Sequence, residues 1–126
     1  MQIGMRPGWM HTMPYKRGDV VLVLYPNTDL RTAKKRPALV IQSDEVDTGL
    51  PQRVVAMITS NLSRTGPTRV TFPKTSPEGR EMGLLTDSVV VTDNLATVLE
   101  REIDKTIGRC PKMDLIDSAL RIALRL

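Results

Sequence analysis

Arg36, set directly before Pro37, is the side chain in this sequence best suited to gripping a phosphate. Its guanidinium is a planar, permanently charged fork that matches phosphate oxygens. The proline that follows biases the Arg36 backbone toward an extended shape, which mounts the fork at the mouth of a strand. Arg31, Lys34 and Lys35 add positive charge just upstream. A second group of donors, Thr59, Ser60 and Asn61, follows an apolar run that ends at Ile58. Hydroxyls and amides at a strand end can donate hydrogen bonds to a phosphate, and the same triplet also reads as an ordinary strand-to-loop cap. Asp93-Asn94 reads either as a turn or bulge after Val89–Val91 or as a carboxylate at the rim of a cleft. Lys34 and Lys35 also read as a solvated loop.

Other chemistries are poorly served. With one cysteine, Cys110, no intramolecular disulfide can form, and with one histidine, His11, no zinc cluster can be assembled. There is no glycine-rich phosphate loop. Asp87, Asp93 and Asp104 are scattered without the spacing that would unite them on a metal. Neither metal nor cofactor is expected. Only Trp9, Tyr15, Tyr25 and Phe72 are aromatic, which argues against an RNA-binder that stacks many bases. The first fourteen residues lack the apolar centre of a signal peptide. No stretch approaches the roughly twenty apolar residues of a membrane span. A soluble, cytoplasmic protein is expected.

The elements that must position these residues follow from pattern. At 126 residues the chain is one domain with a small core of Val, Leu, Ile and Met. Residues 1–42 carry seven Lys or Arg against two Asp, whereas residues 43–126 carry eleven against twelve acidic residues. The positive excess is therefore local to the N-terminal third; it suits an anionic partner, and on charge alone it reads first as a solvated basic surface. Residues 1–14, with Gly4, Pro7, Gly8 and Pro14, read as an irregular arm before a domain spanning 15–126. β-Branched runs bounded by Gly, Pro, Asn and Asp predict strands at 19–25, 37–42, 54–60, 68–72 and 83–91. Shorter extended pieces are predicted at 95–99 and 102–108, with loops at 26–36, 43–52 and 73–82. Pro111 suits a first helical position. Met113, Ile116, Leu120 and Ala123 recur at helical spacing, which predicts an amphipathic helix to the C-terminus. Many short strands and one terminal helix point to a mainly β fold, a small, partly open β-barrel capped by a helix.

In their order and spacing, RGDVVLVLYP at 17–26, KRPALVIQ at 35–42, MITSNL at 57–62 and GLLTDSVVVTDNLATV at 83–98 resemble the MazF/PemK toxins of bacterial toxin–antitoxin systems. IDKTIGRC at 103–110 and the final helix fit as well, so the resemblance covers about residues 15–126. It implies a homodimeric SH3-like barrel and a metal-independent endoribonuclease that cuts single-stranded RNA at short sequences. The 2′-hydroxyl would attack the adjacent phosphorus and leave a cyclic phosphate. The resemblance places Arg36 and Thr59 at the reacting phosphate, Asp93 as a further acting group, and Thr97 as the anchoring threonine. Arg31, Lys34, Lys35, Ser60, Asn61 and Thr97 are then expected to bind RNA. It also implies an antitoxin whose acidic, disordered tail docks on the basic stretch Arg31–Arg36. Two departures stand out: Ala96 occupies a position where many relatives have arginine, and residues 26–36 contain no histidine. Two other readings of the same barrel are a toxin that binds gyrase through its terminal helix and a catalytically silent RNA-binding module.

Overall fold

The computed structural model of the chain describes residues 14–26, 31 and 33–126. The expected N-terminal arm, with His11, lies outside the described residues apart from Pro14.

Strands β1 (Asp19–Pro26) and β2 (Ala33–Val40) pair antiparallel along almost their full length, from Val20 opposite Leu39 to Pro26 opposite Ala33. β2 therefore starts four residues earlier than its apolar pattern suggests, and Lys34, Lys35 and Arg36 stand on a strand rather than in a loop. β3 (Gln52–Thr59), β4 (Arg69–Phe72), β5 (Ser88–Leu99) and β6 (Ile103–Arg109) complete one antiparallel sheet, ordered β4-β5-β3-β2-β1-β6. The sheet is open, with β4 and β6 as its edges.

Both faces of its centre are buried, which is why the strands read as near-continuous apolar runs instead of alternating ones. One face presents Val20, Leu39, Ala56, Ile58 and Val90. It is covered by Phe72, Met82, Leu84 and Cys110 and by helix α2 (Met113–Leu124) through Ile116 and Leu120. Fully buried Ile116 contributes on the order of 2–5 kcal/mol, the usual cost of truncating such a side chain to alanine. Burial also pushes the Cys110 thiol up from its ordinary range, so Cys110 serves as a small neutral core residue. The helix starts at Met113, after Lys112, so Pro111 lies just outside it. Arg17 ties α2 to the sheet by pairing with Asp117 and by donating from Nε to the Ile41 carbonyl.

The opposite face collects Val21, Val23, Ala38, Val40, Val55, Met57, Val98 and Ile103, with Tyr15 and Ala96 packed against them. Strand alternation puts Arg36 on this face with Ala38 and Val40, and Thr59 with Val55 and Met57.

Two segments differ from the sequence pattern. The stretch 73–82 holds a short helix, α1 (Pro77–Glu81), whose start is capped by Ser76 accepting from the Gly79 N–H. Residues 83–87 are not strand; Gly83, at φ 72°, approaches the Ile107 carbonyl so closely that a Cβ would sit 2.2 Å from it. The pieces expected at 83–91 and 95–99 join into the single strand β5, which runs straight through Asp93-Asn94 by means of a bulge. Val91 pairs with Met57, and Leu95 pairs with the neighbouring Ala56, so Thr92, Asp93 and Asn94 are extra residues on the β5 side.

Candidate active site

Pro37 carries no N–H to donate to a neighbouring strand. Its ladder with β1 continues unbroken, with Leu22 as its partner. The β2–β3 ladder holds only Val40–Val55, Leu39–Ala56 and Ala38–Met57, and stops at the residue beside the proline. Beyond that point β2 and β3 part. Extending the register by two residues on each strand puts Arg36 across the gap from Thr59.

Two clefts open there. The larger, about 370 Å³, is lined by Arg36, Met57, Ile58, Thr59, Arg64, Val91, Asn94 and Ala96. The smaller, about 150 Å³, is lined by Lys34, Lys35, Arg36, Pro37, Ile58, Thr59, Ser60, Thr86 and Ser88. Arg36, Ile58 and Thr59 belong to both. A chain-like ligand that occupied both clefts would cross Arg36 and Thr59 at their junction.

The Thr59 hydroxyl is oriented by the loop that follows it. Its oxygen accepts the Asn61 N–H at 3.1 Å, which leaves the hydroxyl proton to be donated into the gap. Asn61 in turn accepts the Ser63 N–H and the Ser63 hydroxyl on Oδ1, and its carbonyl accepts the Arg64 N–H. These consecutive turns bring Arg64 back over the larger cleft. Lys35 pairs with Asp104 at 3.2 Å, across β1 on β6.

Of the residues singled out by sequence, the structure brings together Arg36, Thr59, Lys34, Lys35 and Ser60. Asn61 shapes the loop. Thr97 sits opposite Val54 on β3, about 17 Å along the strand from Thr59. Arg31 is exposed beyond the start of β2 and lines neither cleft. Asp93 also lines neither cleft: its carboxylate accepts from Arg69 at 3.1 Å and from the Thr68 hydroxyl at 3.3 Å, on the side of β4. Arg64 and the apolar floor of Met57 and Val91 went unnoticed in the sequence, whereas Ala96 beside them was noted; the Ser/Asn-rich spacing from Thr59 to Arg64 is the local signal of a loop that turns back. Among the described residues, no three His, Cys, Asp or Glu gather where they could hold a metal ion.

A family model described as the PemK-like, MazF-like toxin of type II toxin–antitoxin systems matches residues 16–124. The chain belongs to that toxin family. Endoribonuclease EndoA of Bacillus subtilis (strain 168) is 31% identical over 118 residues, covering 90% of this chain and 97% of that protein. Among solved structures, an endoribonuclease in complex with its cognate antitoxin from a mycobacterial species superposes with TM-score 0.67 at 24% identity, over 89% of this chain and 96% of that one. A MazE–MazF complex from Deinococcus radiodurans superposes equally well at 19% identity, over the same shares of the two chains. At such identities these structures establish a shared fold, and the toxin-family sheet is the one described above: six antiparallel strands, open, with a C-terminal helix.

The parting of β2 and β3 generates a direct test. Pro37→Val restores a donor and a β-favouring side chain. The new amide at position 37 should be protected from hydrogen exchange to about the level of the Ala38 amide, with pairing extended toward Thr59. Exchange as fast as that of an open loop would show that the proline does not set the gap.

Proposed function

We propose that this chain is the toxin of a type II toxin–antitoxin pair and cuts single-stranded RNA as a metal-independent endoribonuclease. The observation that carries this reading is Arg36 and Thr59 facing each other across parted strands, shared by two adjoining clefts. Family membership and the endoribonuclease relative support it.

RNA would lie along both clefts with the scissile phosphate at their junction. The 2′-oxygen attacks phosphorus, the bond to the 5′-oxygen breaks, and the products are a 2′,3′-cyclic phosphate and a 5′-hydroxyl. As phosphorus becomes five-coordinate, negative charge builds on its non-bridging oxygens. The Arg36 guanidinium and the Thr59 hydroxyl are stronger partners for that charge than for the ground state, which is what accelerates the step. Among the described residues, those lining the clefts include no carboxylate and no imidazole. Charge stabilisation by Arg36 and Thr59 is the contribution these residues make to the rate. Asp93, whose carboxylate is held by Arg69 and Thr68, fits a positioning role better than that of a base within reach of the 2′-hydroxyl.

Purified protein in excess chelator should cleave single-stranded RNA and leave cyclic phosphate ends. Arg36→Ala should lose on the order of a hundredfold in single-turnover rate, as for removal of one transition-state donor. Arg36→Lys should recover only part, since a point charge lacks the fork. Thr59→Ala should cost less, because one neutral hydrogen bond is lost. Abolition by chelator, products with 5′-phosphates, or an Arg36→Ala rate equal to wild type would each refute the mechanism.

The toxin would act in the cytoplasm on mRNA, as a homodimer, and be silenced by an antitoxin. Among the described residues no helix is long and apolar enough to cross a membrane. Exposed Leu62, Leu85, Leu115 and Ile122 offer apolar area for protein partners. An acidic antitoxin tail would compete with RNA phosphates for Lys34 and Arg36, and association would be fast and salt-sensitive. Lasting affinity would come from apolar contacts, since exposed ion pairs add little. Sedimentation at micromolar concentration should show a dimer, and added antitoxin should displace a bound oligonucleotide. A monomer, or a ternary complex with the oligonucleotide retained, would contradict these assignments.

A further inference from the structure

Among the described residues lining the larger cleft are two with guanidinium groups: Arg36 from β2 and Arg64 from the loop between β3 and β4. Thr59 lies with them, and the wall contributed by β5 includes Ala96, a side chain too short to fill the space or to donate a hydrogen bond. Arg17, Lys35, Arg69 and Arg109 are engaged in ion pairs, and among the described residues none is seen on Arg64. Its charge is available to an anion in the cleft.

The loop that carries Arg64 is held at both ends. At its start, Thr59, Asn61 and Ser63 form the chain of turns already described. At its end, Arg69 donates from one terminal nitrogen to the Thr65 carbonyl at 2.9 Å and from the other to Asp93. The β5 bulge grips the same segment: the Thr92 N–H and hydroxyl both donate to the Thr68 carbonyl, at 3.0 and 2.6 Å. The Arg69 Nε is buried with no hydrogen-bond partner. A buried donor left unsatisfied costs stability, so the clamp tolerates a penalty in order to keep this loop where it is. A loop fixed before the substrate arrives keeps its cation close to the developing charge, so less reorganisation is needed during the reaction.

We infer that Arg64 is a second catalytic cation of this chain, binding a non-bridging oxygen of the scissile phosphate beside Arg36, and that Asp93 and Arg69 are positioning residues that hold its loop over the cleft. The inference rests on the RNA-cleaving reading above and adds to it the source of the second charge. Ala96 lines the same cleft, so an arginine introduced there would bring a guanidinium into the space that Arg64 borders.

The test is single-turnover cleavage of a short single-stranded RNA by the full chain in chelator, with RNA affinity measured separately. Arg64 is exposed, so its variants should keep the fold, as checked by thermal unfolding. Arg64→Ala should lose about ten- to a hundredfold in the cleavage step while affinity changes by less than about threefold. Adding Ala96→Arg to Arg64→Ala should recover at least half of that loss on a logarithmic scale. Asp93→Asn should slow cleavage by about three- to tenfold and leave the slope of the pH–rate profile unchanged, since the carboxylate acts through Arg69 and takes no proton. An Arg64→Ala variant that cleaves at the wild-type rate, a loss confined to affinity, or a double variant no faster than Arg64→Ala would overturn the inference. Wild-type protein that leaves RNA intact would instead refute the reading on which it rests.

Discussion

A missing hydrogen-bond donor organises the site. Pro37 lies in a strand whose pairing with β1 is complete, yet the ladder to β3 ends beside it. A strand with two neighbours ordinarily satisfies both, and a proline inside it is tolerated only where one edge is unpaired. The result is a sheet that stays closed through its apolar middle, Val55 to Met57, and opens at one end. Two residues beyond the last pair stand Arg36 and Thr59. Each is mounted on a strand, so the distance between them is governed by sheet geometry and not by loop motion. A site of that kind comes ready-made for charge stabilisation, because its dipoles are fixed before charge develops.

The wall of β5 repeats the principle. Three extra residues break its register with β3, and two of them turn in useful directions. Asn94 lines the larger cleft, while Asp93 faces away toward β4 and anchors Arg69. One irregularity thus contributes to the cleft and also fastens the loop that overhangs it. Bulges near functional sites commonly re-aim side chains in this way. On the helix side of the sheet Ile116 and Leu120 pack on the core, and Ile58 from that same face also lines both clefts.

Much of this could be read from residue types. The β-branched runs give β1, β3 and the start of β5, and the spacing of Ile116 and Leu120 gives α2. Arg36 and Thr59 stand out because extended backbone before proline, and a hydroxyl after an apolar run, are local facts. What escaped depends on distant partners. Lys34 and Lys35 look like loop because they are polar, but the ladder with β1 holds them extended. Asp93 reads as a turn or as a carboxylate at a cleft rim, and only the fold shows Arg69, twenty-four residues away in sequence, paired with it. Arg64 is one cation among many until the turns at Thr59 and Asn61 fold it over the cleft. No periodicity encodes such encounters, because they arise only when the sheet has formed.

We place the reacting phosphate where β2 and β3 part. A crystal structure of the protein with a short oligonucleotide, made uncleavable by a 2′-deoxy sugar at the cut site, tests it most directly. The account predicts one phosphate between the Arg36 guanidinium and the Thr59 hydroxyl, with the strand running on into both clefts. A phosphate seated instead beside Asp93, or an oligonucleotide bound along the α2 face with the gap empty, would contradict it.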